Sequence, residues 1–555
     1  MVLPKFRAVE RENDLRLTQP DVRDGQEQSR EPGIIPYRLA IGVTGHRALP
    51  DDPFLAERVR DVINRIVELA PKSGYTPVRL AVISPLAEGA DRLVVREVLA
   101  HPGSSLEVPL PLPSDDYATD FSTPQSRAEF EDLLRQASIV IQLPAAETRA
   151  EAYAGAGEYT VRQCDVLIAL WDGEAARGRG GTAEVVAAAR AQGVPVFWIE
   201  TIAPYPLTEE LGNGLTATGF EQLDSYNRLP VPREVVLEAV ARRTEELCAE
   251  AKAAGISPDR LRAFCDWTLP YMARADVLAV RYQRLFFRTG AAIFYLAAAA
   301  ASIVGVQRMF FSNHPWVAVF EVLCMAAVLG LLVMGRRWRF HERWTSYRFL
   351  AEHFRVALFL AVAGVGSGHD HRSQNPNVEQ LAEAWLRRAS DEVWGQRPQM
   401  VMPEGSLEPL KRFLTRAWIV NQRDYQQRAS VRNHRRHRRL SRATVAIFTV
   451  TLIVALFHVL DAGGPNVGAT LVVLSIALPA TAGALHGVGT QREYVRNAQR
   501  AHHMVGHLTF LQRRMEDATT MSEVRRTAQE AEALMLSENR EWFVVMQFHD
   551  FELHV

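Results

Sequence analysis

Cysteine is scarce in this 555-residue chain. Cys164, Cys248, Cys265 and Cys324 are too scattered to form a CxxC pair or a disulfide framework, which excludes a cysteine-based zinc site and fits a reducing compartment. Net charge is lacking too: 63 Lys and Arg stand against 64 Asp and Glu, so no global field draws the chain to nucleic acid, and no nucleic-acid partner is expected. The first thirty-odd residues are charged and hold no apolar run of signal-peptide length. Residues 1–36 are therefore read as a disordered tail, with the N-terminus in the cytosol. His502, His503 and His507 share one predicted helix, but no acid or cysteine stands near them, so no metal site is expected.

Four apolar stretches stand out, each about the ~20 residues that cross a hydrocarbon core: Thr289–Val306, Pro315–Gly335, Ala443–Leu460 and Val467–Leu485. Arg281, Arg284 and Arg288 precede the first, and Arg336, Arg337 and Arg339 follow the second; the connection between them offers only Arg308. The second pair repeats the arrangement, with Arg435, Arg436, Arg438, Arg439 and Arg442 before it and Arg492 and Arg496 after it. By the positive-inside rule both hairpin tips face outward, and both termini are expected in the cytoplasm of a cell with this protein in its inner (plasma) membrane. The run His434–Arg439 is read as a topology signal and an anchor for membrane lipid headgroups. First-span starts lie 154 residues apart and second-span starts 152, so the hairpin reads as one unit used twice, each followed by a long polar helix. Those two following helices are expected to pack together below the membrane. Glu321 is the one acid inside the spans, about two turns into the second at ~1.5 Å per residue, and is the candidate pore-lining group of a homo-oligomer.

Between Tyr37 and about Pro204, short β-rich runs alternate with helical stretches, the pattern of a mostly parallel sheet covered by helices in a Rossmann-like α/β domain. The predicted strands are Arg38–Val43, Arg79–Ile83, Leu106–Leu110, Ser138–Leu143, Asp165–Leu170 and Val194–Ile199. Ligands of such sheets bind beyond the carboxyl ends of the strands, and three loops there carry the candidate site. The first is Gly42-Val-Thr-Gly-His-Arg47, where Gly45 lets backbone approach a phosphate and Thr44, His46 and Arg47 donate to it. The second, Ser84 to Asp91, carries Glu88, Gly89 and Asp91 and opens a helix whose amides suit an anion, with Asp91 equally able to act as a plain helix cap. The third is Trp171-Asp172-Gly173 followed by Gly178-Arg-Gly-Gly-Thr-Ala-Glu184, in which Gly180, Gly181, Thr182 and Glu184 open another helix.

The order GVTGHR, AEGADRL, Y-x-x-D-F (Tyr117, Asp120, Phe121), ALWDG and GGTAE resembles the SLOG superfamily of nucleotide-binding domains. That superfamily includes the LOG phosphoribohydrolases, the DNA-processing protein A core and the N-terminal region of TRPM channels. The hairpins look like SLATT modules, the two-span partners of SLOG domains in bacterial conflict systems. The resemblance implies a nucleotide or nucleotide-derived ligand, no required cofactor, and a sensor that drives oligomerisation or opening of the hairpins to permeabilise the membrane in bacterial (anti-phage) defence. Aligning Gly181-Thr182 with the LOG motif puts Val185 at the position of its catalytic glutamate, with Glu184 one residue early and so turned about 100° away. Binding rather than catalysis is the expectation. The alternative is a membrane-tethered hydrolase of a nucleotide or NAD-like substrate using Glu184 or Asp172. The expected organisation is a tail (1–36), the SLOG-like domain (37–204), a helical linker (205–280) that leads into the first span, a first two-helix module (281–365), a cytosolic connector (366–430), a second module (431–515) and a C-terminal segment (516–555).

Overall fold

The computed structural model describes residues 31–174, 179–212, 214–215, 217–365, 381–398, 406–460 and 464–547. The first thirty residues of the tail, Gly178 of the third loop, parts of the connector (366–380 and 399–405), Asp461–Gly463 at the second hairpin tip and residues 548–555 lie outside them. Two units emerge: one holds the described residues up to Pro230 together with 381–397, the other those from Val231 to 365 and from 398 onward.

In the first unit all six predicted strands form: β1 (Tyr37–Gly45), β2 (Val78–Ile83), β3 (Ser105–Leu110), β4 (Ile139–Gln142), β5 (Val166–Trp171) and β6 (Val196–Glu200). A seventh, β7 (Leu207–Glu210), was not anticipated. The sheet order is β4-β3-β2-β1-β5-β6-β7, parallel except for β7, which pairs antiparallel with β6. β5 is apolar and buried along its whole length, as a strand covered on both faces must be, and each such side chain contributes about 1.5–3 kcal/mol by leaving water. β7 reads Leu-Thr-Glu-Glu, a short charged edge strand with little apolar signal, which is how sheets blunt an open edge and why the sequence hid it. The crossover helices are α1 (Pro53–Leu69), α2 (Ala90–Leu99), α3 (Pro124–Gln136), α4 (Arg149–Gln163) and α5 (Thr182–Ala191), followed by α6 (Phe220–Asn227). α4 opens on a capping box between Thr148 and Glu151. The chain returns to β1 after reaching the edge at β4, so the strand order reverses between β1 and β5, where such sheets open a crevice.

Residues 205–230, expected in the linker, belong to this unit. So does a helix from the connector, described below as α11. The linker continues in the second unit as α7 (Arg233–Ala254) and the start of α8 (Pro258–Phe310). At 53 residues α8 is about 80 Å long, more than twice a ~30 Å hydrocarbon core, so its first part stands outside the apolar segment it becomes. α9 (Ala318–Arg337) completes the first hairpin and α10 (Phe340–Ala363) follows it. α11 (Leu381–Gly395) crosses to the first unit, where Arg388 bonds Asp165 at 2.5 Å and Arg397, just past the helix end, bonds the Ser138 carbonyl at 2.9 Å. After α12 (Leu407–Phe413) and a π-helical turn (Leu414–Val420) come α13 (Asn421–Val459) and α14 (Gly464–Gln491), the second hairpin, then α15 (Tyr494–Asp517) and α16 (Met521–Gln547). Four of these helical stretches are long and apolar enough to cross a membrane.

The repeat is visible in the backbone. Arg339 and Glu493 lie 154 positions apart, each precedes the helix after its hairpin, and each adopts a left-handed conformation, with φ of 49° and 46°. Each is also ion-paired three residues on, with the signs exchanged: Arg339 to Glu342 at 2.5 Å, Glu493 to Arg496 at 3.2 Å. The expectation that α10 and α15 pack on each other is corrected. α10 lies chiefly along α8 and α15 along α13, each against the incoming helix of its own hairpin, while α16 packs on α10. Glu321 also moves: helix α9 begins only at Ala318, so Glu321 sits in its first turn, at the tip of the hairpin.

Candidate functional site

The loops after β1, β2 and β5 meet at the β1/β5 reversal around a cavity of about 350 Å³, within the range of small-ligand pockets. Backbone bonds lace them together: the His46 N–H donates to the Leu170 carbonyl at 3.1 Å, and the Ala90 N–H donates to the His46 carbonyl at 3.1 Å. Two glycines allow it. A Cβ on Gly45 would stand 2.4 Å from Ala90 Cβ and 2.6 Å from the Leu170 oxygen, and one on Gly89, whose φ is +77°, would stand 2.3 Å from the Arg47 oxygen.

Thr44, Gly45, His46, Arg47, Asp91, Asp172, Gly180, Gly181 and Thr182 all line the cavity. His46 Nε2 lies 3.1 Å from Asp172 Oδ1 and 3.2 Å from the Asp172 backbone nitrogen, so one carboxylate and one imidazole share a wall. Asp91 is not a cap. It is buried in the first turn of α2, accepts from the Ser84 hydroxyl at 2.7 Å and from the Ala87 N–H at 3.3 Å, and pins the loop after β2. Burial pushes its carboxyl up to about 6, against the pull of the Ser84 and Ala87 bonds and of Arg47 and Arg92. On the opposite side, Gly181 precedes α5 without a side-chain cap, leaving the Thr182 and Ala183 amides open to an anion, while the Glu184 N–H donates to the Gly181 carbonyl at 3.0 Å.

Four candidates do not line the cavity. Glu88 accepts from the Ser126 hydroxyl, Gly89 and Gly173 serve their turns with positive φ, and Glu184 folds back to accept from the Gly180 N–H at 2.7 Å. That bond shapes the glycine loop and takes Glu184 away from any ligand, while Val185 lies in the wall. Glu321 belongs to the other unit.

Sequence reasoning missed Tyr153, Thr160 and Arg179, and read Tyr117 only as part of a motif, yet all four line the cavity. Asp120 of that motif explains the link. It accepts from the Tyr153 hydroxyl and pairs with Arg149 at 2.7 Å, so a residue after β3 sets a ring on α4, and the Arg47 guanidinium lies 5.6 Å over that ring. Tyr117 packs edge-on against Phe121 and Phe130. The result is a crevice in which Arg47 stands over Tyr153 and His46 beside Asp172, with Tyr117, Asp91 and the uncapped start of α5 completing the wall. Among the described residues no group of His, Cys, Asp and Glu is arranged to hold a metal. Neither protein-family profiles nor the curated proteins give a match to this chain.

Proposed function

We propose that this protein is a membrane-anchored sensor, in which a nucleotide or nucleotide-derived signal binds the cavity at the β1/β5 reversal and biases the conformation or association of the two hairpins. The observation that carries this reading is the convergence of three glycine-containing loops on one crevice, with Arg47, His46 and the uncapped start of α5 facing it. The SLOG-like motif order and the SLATT-like hairpins support this reading, and the arginine distribution supports a topology with both termini in the cytoplasm and the spans in the inner membrane of a bacterial cell. The output is permeabilisation of that membrane by a homo-oligomer in defence. For the signal to act, it must bind one state better than the other. Hydrolysis of LOG type is not favoured, because Glu184 is committed to the Gly180 amide.

The test is a nucleotide panel against the purified full-length protein, read by thermal shift and by release of dye from liposomes. A binding nucleotide present at 100 times its Kd adds about 2.7 kcal/mol to stability and triggers release, and Gly45→Val abolishes both. Turnover of the nucleotide would instead establish the hydrolase, and absence of any nucleotide binding would overturn the sensor.

A further inference from the structure

The two hairpins carry different numbers of arginines, and the repeat shows which are in excess. Shifted by 154 positions, Arg435, Arg438 and Arg442 of α13 coincide with Arg281, Arg284 and Arg288 of α8, a shared set that suffices to orient a hairpin. Arg432, Arg436 and Arg439 have no such counterpart. They stand where α8 has Leu278, Tyr282 and Leu285, of which Leu278 and Tyr282 are buried. In α13 all six arginines are exposed, and at 100° per residue they share about half of the helix circumference. Among the described residues none of the six pairs with a carboxylate; Arg432 alone has a ring contact, 6.0 Å over Tyr425. By contrast, exposed helical arginines such as Arg135 and Arg514 pair with acids.

We infer that this face of α13 is a binding site for anionic phospholipid headgroups. Arg438, Arg439 and Arg442 lie within about 8 Å of Ala443, where the apolar segment starts, and so at headgroup depth, while Arg432 is about 16 Å away. The outer arginines act through the surface potential of an anionic leaflet, which reaches about one Debye length, roughly 8–10 Å. The site rests on the reading of α13 as a membrane-crossing helix but not on any nucleotide ligand, so it stands or falls separately from the sensor.

The test is retention of lipid by the full-length protein, extracted from bilayers of phosphatidylcholine mixed with phosphatidylglycerol and weighed by native mass spectrometry. The wild type is expected to keep phosphatidylglycerol selectively, and to lose it as salt is raised. R432Q/R436Q/R439Q should lower the apparent affinity about fivefold each for Arg436 and Arg439 and less for the more distant Arg432, at least about twenty-fivefold together. The charge-matched control R135Q/R162Q/R262Q should retain lipid like the wild type. Equal retention by the two triple variants overturns the site. So does salt-independent retention by the wild type, which needs no variant to fold. If the first triple variant loses binding to an oligonucleotide and not to lipid, the face is a nucleic-acid surface instead.

Discussion

The two hairpin modules share a backbone plan and place their charge oppositely. In the first, Asp276 of α8 and Arg348, Glu352 and Arg355 of α10 are all buried: Arg348 bonds Glu352 and lies 3.7 Å from Asp276, and Arg355 bonds Glu352 at 2.6 Å. The positions 154 residues on are Ser430, His502, Gly506 and Thr509, where Ser430 and Thr509 bond only backbone carbonyls. The second module keeps its charge outside, on the arginine face of α13. A buried ionic cluster adds little net stability but penalises every arrangement that breaks it, so the first module is built to hold one geometry. Its helix α8 runs without interruption from Asp276 into the first apolar segment, which ties that geometry to the span. Among the described residues the second module has no such lock, and its exposed charge answers to its surroundings instead.

Aligned substitutions test this contrast most sharply. Glu352→Gln strands two buried guanidinium groups and is expected to cost about 3–5 kcal/mol, read as a large fall in Tm in detergent. Gly506→Ala, at the matching position, should instead stabilise by about 0.5–1 kcal/mol, because a Cβ there meets nothing within 4 Å and glycine is a poor residue inside a helix. If the two changes shift Tm alike, the modules are not energetically distinct.

A second experiment compares a buried charge that is paired with one that is not. Asp91 in the sheet unit has no such pair of arginines bonded to it, and burial raises its carboxyl from 3.8 to about 6. With the folded-state value raised, its contribution is present below about pH 4 and is lost as pH rises through 6, a loss of about 3 kcal/mol. Asp91→Asn, neutral at every pH, should remove that dependence, so wild type and variant should have similar stability below about pH 4 and separate as pH rises through 6, the variant becoming the more stable, as followed by thermal unfolding. A parallel pH profile for the two proteins would refute it.

The smallest effect concerns what the modules share. Arg339→Gly and Glu493→Gly each relieve a left-handed residue, worth about 1 kcal/mol, and each removes an ion pair, exposed at Arg339 and partly covered at Glu493. Equal Tm shifts for the two variants are expected if both joints do the same work.

Several of these features were legible in the sequence. The central parallel strands announced themselves because a strand buried on both faces, such as β5, is a continuous apolar run, and the four membrane-length stretches because length and hydropathy suffice to mark them. β7 was not, being short, charged and at an edge. The glycine loops stood out because a strand ending in Gly-His-Arg or Gly-Gly-Thr has few other uses, whereas Tyr153 and Arg179 lay in segments of ordinary composition and reached the cavity only through partners far along the chain.

What the sequence alone determined is therefore the periodic and the local: the α/β unit, the duplicated hairpin and the turns at strand ends, each written in residues within a few positions of one another. Only the tertiary structure decided that Glu184 holds its own loop, that α11 leaves the membrane unit to bond Asp165, and that one module buries its charges while the other displays them. These outcomes depend on which groups become neighbours across tens or hundreds of residues, and a carboxylate looks the same in sequence whether an amide, an arginine or a ligand will meet it.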